Sequence, residues 1–130
     1  MPTTTAQVQK VANVVIPVQD VDGAIDFYAG KLGLTKRTDT PFGGEYRWVE
    51  VAPDGADTVI ALAPPGPGDT AGGRQTGISL QTSDIDTYYA QLKAAGVDVD
   101  PEITRMGGPV PPMFWLRDHE ANVLLVVEVS

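Results

Sequence analysis

The residues of this chain that could do chemistry are few and unevenly spread. There is one histidine, His119, and no cysteine. An imidazole with an unperturbed pKa of ~6.5 suits general-base work. His119, however, lies in a turn ahead of the last strand, where an exposed loop histidine is the simpler reading. Among the carboxylates, one spaced pair recurs in the same setting, as Asp20/Asp22 and Asp84/Asp86. Paired acids are raw material for proton transfer, but each pair opens a helical pattern, where capping and the helix dipole account for it. The third group is Tyr46-Arg-Trp-Val-Glu50. On a strand, Tyr46, Trp48 and Glu50 share one face, with Arg47, Val49 and Val51 on the other. Aromatics beside a carboxylate suit flat or cationic ligands, and they equally fit a core or a dimer contact.

The elements that must position these groups are stated twice. Val11-Ala-Asn-Val-Val-Ile-Pro-Val18 runs into Asp20-Val-Asp22, a helical pattern and Gly33; Gly77-Ile-Ser-Leu80 runs into Asp84-Ile-Asp86, a helical pattern and Gly96. Such an internal repeat predicts two units that pair, with a ligand groove between them. Val21, Ala24, Ile25, Tyr28 and Leu32 form one helical stripe, predicting a helix from Val21 to Leu32 that Gly33 ends. Strands are predicted at Leu34–Thr38, Tyr46–Val51 and Thr58–Ala63, the last two joined by Pro53-Asp-Gly55. Residues 64–75, rich in Pro, Gly, Asp and Thr, read as a linker. The second unit repeats the order: strand Thr76–Thr82, helix Ile85–Ala95, and strands at Val97–Thr104, Val110–Leu116 and Val123–Val129. The predicted class is α+β, a single domain of two βαβββ modules at about 11–63 and 76–129.

Composition narrows the function. A length of 130 residues and a hydrophobic fraction of 42% suit one folded domain. A net charge of −8 argues against nucleic acid and anionic membranes, whose phosphates select Lys and Arg. No apolar run approaches the ~20 residues of a membrane span. The N-terminal segment lacks a basic start followed by an apolar stretch, so a cytoplasmic location is expected. Gly66-Pro-Gly68 and Gly72-Gly73 lack the strand and helix of a phosphate loop, and no Ser-His-acid elbow is present.

Val18-Gln-Asp20, Ala24-Ile-Asp-Phe-Tyr28 and Leu32-Gly33 match the opening V-x-D, A-x-x-F-Y, L-G of the vicinal oxygen chelate superfamily. That superfamily includes glyoxalase I, extradiol dioxygenases, fosfomycin-modifying enzymes and bleomycin-binding resistance proteins. The chain resembles it from about Val11 to Val129. Phe114-Trp-Leu-Arg-Asp-His-Glu-Ala-Asn122 matches its closing F-x-D-P-D-G-N in part, with His119 in place of Pro and Ala121 in place of Gly. The resemblance implies a cupped mixed sheet holding a divalent metal on four strands, and its ligand positions fall on Asn13, Ala61, Gly77 and Leu125. An Ala, a Gly and a Leu supply no side-chain donor. Glu128, three residues beyond Leu125, points to the opposite face if Leu125 points into the cup.

Neither a metal nor another cofactor is therefore expected. The residues expected to line the cup are those four positions with Tyr46, Trp48 and Glu50 from the first unit and Ser79, Met113 and Trp115 from the second. Asn13 either meets a ligand or bonds a neighbouring strand or water. Met113, Phe114 and Trp115 either wall the cavity or pack the core. The expected function is that of a metal-independent small-molecule binder of the bleomycin-resistance type, sequestering a neutral or cationic aromatic ligand. The alternative is a lyase, isomerase or hydrolase of the same superfamily using side chains such as Glu50 or His119, and a third reading is a non-catalytic partner domain. The resemblance also implies a homodimer whose cups form between subunits, with the linker permitting pairing within a chain or exchange between chains.

Overall fold

Both helices start where a short acidic side chain precedes an apolar stripe. In the computed structural model of the chain, which describes residues 5–44 and 46–129, the Asp20 carboxylate accepts the Gly23 N–H at 2.9 Å and the Asp84 carboxylate accepts the Thr87 N–H at 3.1 Å. Each satisfies a first-turn donor that the helix leaves orphaned. Bonding to Thr87 holds the Asp84 carboxyl below its ordinary pKa. The second member of each pair faces outward onto an arginine, Asp22 on Arg47 and Asp86 on Arg105, both at 2.7 Å. The four aspartates are thus helix-start residues.

Helix α1 (Val21–Ile25) continues as a π-helical stretch, Asp26–Lys31, and helix α2 spans Ile85–Ala94. This corrects the single α-helix expected from Val21 to Leu32. The Leu32 N–H donates to the Phe27 carbonyl, five residues back, at 2.9 Å. The widened turn buries Phe27 as well as Tyr28, and their rings meet edge-on at 5.2 Å.

Strands β1 (Asn13–Pro17), β2 (Thr35–Pro41), β3 (Arg47–Ala52) and β4 (Val59–Ala63) form one sheet in the order β1-β4-β3-β2. Strands β5 (Gln75–Thr82), β6 (Asp98–Val99), β7 (Met113–Arg117) and β8 (Val123–Glu128) form the other, β5-β8-β7-β6. In each sheet the first and last strands of the unit lie parallel and the remaining pairs antiparallel. This is the predicted pair of βαβββ modules. Two elements are shorter than expected. Pro101 has no N–H for a ladder, so β6 ends at Val99 and only a bridge at Thr104 continues it toward Met113. Pro111 and Pro112 delay β7 to Met113.

Alternation sorts the faces. Ile16, Val49, Val51, Ile60 and Leu62 from the first sheet and Phe114, Leu116, Leu124 and Val126 from the second are buried on the helix side. They join Tyr28, Ile85 and Leu92 in one core, where each large apolar side chain contributes about 1.5–3 kcal/mol.

A polar join links the modules through the β7–β8 turn. The buried Asp118 carboxylate accepts the Tyr28 hydroxyl at 2.7 Å and the Asn122 amide at 3.0 Å. Its other oxygen accepts the N–H groups of Glu120 and Asn122 at 2.8 and 2.9 Å. Burial, and then the Asp118 charge, hold the Tyr28 hydroxyl far above its ordinary pKa. The Glu120 carboxylate accepts the Gln19 and Asp20 N–H groups, each at 2.9 Å. Residues 64–74 carry neither helix nor strand, and the Gly73 N–H donates to the Glu120 carbonyl at 2.9 Å, so the same turn anchors the linker.

Candidate functional site

The side of each sheet away from the helices carries the candidate residues. In β3, Val49 and Val51 are buried against the helix side, which turns Trp48 and Glu50 to the open side. The Trp48 indole N–H donates to the Glu50 carboxylate at 3.0 Å, fixing the two side chains to one another. Glu50 stands opposite Ala61, and Ala61 opposite Val15. Ala61, between the carboxylate and Val15, is fully buried. Asn13, two residues before Val15, extends this face and is exposed.

The second sheet presents the related face. Trp115 stands opposite Leu125, Leu125 opposite Ser79, and Met113 opposite Val127. The registers make Ala61 and Leu125 equivalent, and likewise Glu50 and Trp115. At the end of this face Arg117 pairs with Asp98 and Asp100, both at 2.9 Å, and hydrogen bonding from Arg117 lowers the Asp98 pKa. Gly77 departs from the expected register. It sits at φ +72° in an irregular stretch of β5 between Gln75, paired with Val123, and Ser79, paired with Leu125.

Trp48, Met113, Trp115 and Leu125 all stand outside the core cluster. Val15 is 43% exposed and Trp115 37%. Gly77 and Ser79 line a cavity of about 410 Å³ with Val14, Val51, Ile60 and Leu80, which does not include Trp48, Glu50, Met113, Trp115 or Leu125. A single chain offers two open half-faces, one with Asn13, Trp48 and Glu50 around the buried Ala61, the other with Ser79, Met113, Trp115 and Leu125.

Tyr46 lies one residue ahead of β3 and stacks on Phe42, with centroids 5.7 Å apart. It lines cavities with Pro64 and Pro65 and not with Trp48. His119 belongs to the module join: its Nε2 lies 3.2 Å from the Asp20 carbonyl oxygen and 3.1 Å from the Glu120 carboxylate. A Cβ at Gly23 would overlap the Asp20 carboxylate and come within 3.1 Å of the His119 ring, so the glycine makes room first for the Asp20 cap and then for the imidazole. Sequence reasoning passed over Asp118 and Glu120, because their partners Tyr28, Gln19 and Asp20 are about ninety or more residues away.

A divalent metal does not fit the four family positions. Asn13 offers one amide oxygen, while Ala61, Gly77 and Leu125 offer no side-chain donor. Among the described residues no three His, Asp or Glu side chains converge. Glu128 faces the helix side, accepting the Ile85 N–H at 3.0 Å.

Comparison with known proteins agrees with this architecture. Among the described residues no helix is long and apolar enough to cross a membrane. The chain is 32% identical to TnmS3, described as an antibiotic binding protein from Streptomyces sp. CB03234. The two superpose with a TM-score of 0.83 over 97% of this chain and 100% of that one. A structure of a superfamily member from Sphaerobacter thermophilus DSM 20745 matches at 35% identity and a TM-score of 0.84, over 94% of this chain and 98% of its own. The uncharacterized protein YurT of Bacillus subtilis is 36% identical over 120 residues, 85% of this chain and 92% of YurT. Residues 10–119 match the sequence pattern of the family itself. With the paired modules, these matches place the chain in the glyoxalase/bleomycin resistance protein/dioxygenase superfamily, to which it belongs.

Proposed function

We propose that the protein is a small-molecule binder that sequesters a neutral or cationic aromatic ligand without a metal. The observation that carries this reading is the pair of open sheet faces, each bearing an indole outside the core: Trp48 held to Glu50, and Trp115 beside Leu125. Indole faces stack on flat rings, and a carboxylate beside them attracts a cation. The net charge of −8 works in the same direction over longer range. The antibiotic-binding description of TnmS3, a relative at 32% identity, supports a small organic ligand. The donor-poor set Asn13, Ala61, Gly77 and Leu125 supports metal independence.

Two copies complete the site in this reading, the first module of one chain facing the second module of the other. Exposed apolar side chains on both faces, Val15 and Trp115, support a covering partner. The reading includes a cytoplasmic location. The enzyme alternative has less support, because His119 is engaged at the module join and Glu50 accepts from Trp48.

A thermal-shift screen of aromatic and cationic compounds in the presence of EDTA tests the proposal. Ligand at 100 times its Kd adds about 2.7 kcal/mol to stability. Hits should lose their shift in Trp48→Ala and weaken in Glu50→Gln. Stabilisation abolished by EDTA, or turnover lost in Glu50→Gln with binding retained, would overturn it.

A further inference from the structure

The helix side of the first sheet ends on a row of aliphatic side chains. Val14 stands opposite Ile60, and Ile60 opposite Val51, one alternation beyond the buried row of Ile16, Leu62 and Val49. Between this row and β5, the edge strand of the second sheet, lies the cavity of about 410 Å³, closed from the second module by Ile78 and Leu80. Among the described residues no aromatic and no charged side chain lines it. A further cavity of about 180 Å³ adjoins it through Pro53, Leu80 and Gln81 and runs on to Leu34 and Val126. Together they make one elongated space along the seam between the modules.

We propose that this seam is a binding site for an unbranched aliphatic molecule with one uncharged polar end, such as a long-chain alcohol. The larger cavity has the size of a small-molecule pocket, roughly 300–1,000 Å³. Its walls offer contact along a chain and no ring for stacking. Val14, Ile78 and Leu80 are only half-buried, so a chain lying against them removes aliphatic surface from water. The seam is distinct from the open sheet faces: alternation turns Val51 to the cavity and Glu50 away from it, and neither Trp48 nor Trp115 takes part in the lining. Thr58, Ser79 and Gln81 supply hydroxyls and an amide for the polar end. The adjacent β3–β4 turn carries the exposed Asp54 and Asp57, and the cation nearest that turn, Arg37, is engaged by the Pro53 and Ala56 carbonyls, both at 2.6 Å. An anionic head group is therefore disfavoured, the more so in an acidic chain.

The probes are the 1-alkanols from butanol to decanol, titrated calorimetrically into the full chain. Affinity should rise about fourfold with each methylene, the transfer value of one buried CH2 group, and stop rising at the length that fills the seam. Ala56→Leu, which adds bulk at the wall, should shorten that limiting length. Val14→Thr, which keeps the shape and exchanges a methyl for a hydroxyl, should weaken 1-octanol about threefold. In Trp48→Ala protein, which lacks the indole of the sheet face, the series should bind as before. Octanoate should bind about tenfold more weakly than 1-octanol. The proposal fails if affinity is independent of chain length, if both seam variants bind the series as the wild type does, or if octanoate equals 1-octanol. It fails also if Trp48→Ala abolishes binding, which would put the alcohols on the open face. Binding that falls as protein concentration rises would overturn it too, since a second copy would then fill the seam.

Discussion

The two modules share their strand order and differ in how they are finished. Beneath the helices both are apolar, with Val49 and Val51 in one and Phe114 and Leu116 in the other. On the open side, matching positions have diverged: Glu50 answers to Trp115, and Trp48 to Met113. The helix starts diverge as well. Glu128 of the second module accepts the Ile85 N–H of its own helix. The register places Pro64 at the corresponding point of the first module, and Glu120 reaches from the second module to accept the Gln19 and Asp20 N–H groups instead. The duplication thus keeps the packing that folds each unit and varies the surfaces that join the units or stand open.

The strongest way to break that comparison is to alter one residue from each side of a sheet. Phe114→Ala empties a buried site and should cost about 4 kcal/mol. Trp48→Ala on an open face should leave stability nearly unchanged while removing ligand-induced stabilisation. Urea unfolding of the two variants measures both, and a Trp48→Ala loss as large as that of Phe114→Ala would make the open face part of the core.

Next is the module join. Asp118→Ala strips the acceptor from the Tyr28 hydroxyl, the Asn122 amide and two turn N–H groups, and should cost about 3 kcal/mol. Tyr28→Phe, which removes a donor and leaves Asp118 its other three bonds, should cost about 1 kcal/mol. Smaller still is the contrast between the two glutamates. Glu120→Gln weakens charge-assisted bonds to two N–H groups and should cost about 1–2 kcal/mol, with Glu128→Gln costing about half as much. Equal costs would remove the asymmetry drawn between the helix starts. The smallest effect belongs to Ala121, which sits at φ +64°. Ala121→Gly relieves that strain and should raise stability by about 0.5 kcal/mol.

What the sequence discloses follows from the range of the interactions. Strands, faces and caps are local. Alternation alone separates Trp48 and Glu50 from Val49 and Val51, and Asp20 and Asp84 announce their helices by type and position. The π-helical turn is hidden, because Val21, Ala24, Ile25, Tyr28 and Leu32 satisfy an α pattern while Phe27 gives no sign of being drawn inward. The irregularity at Gly77 is hidden because a strand with extra residues reads as an ordinary strand. Tyr46 falls beside Trp48 by counting, but its stacking on Phe42 across the β2–β3 turn depends on a register that alternation does not give. Asp118 and Glu120 look like turn residues, since nothing local reveals partners in the other module.

The most direct test is complementation between two open-face variants. Trp48→Ala and Trp115→Ala chains are unfolded, mixed in equal amounts, refolded together and titrated calorimetrically with a hit from the thermal-shift screen. If each site forms between the first module of one chain and the second module of its partner, neither variant alone binds normally. The refolded mixture then recovers wild-type affinity at about a quarter of its sites, those in mixed dimers that unite Trp48 with Trp115. No recovery in the mixture, or wild-type affinity in both variants alone, would contradict the account.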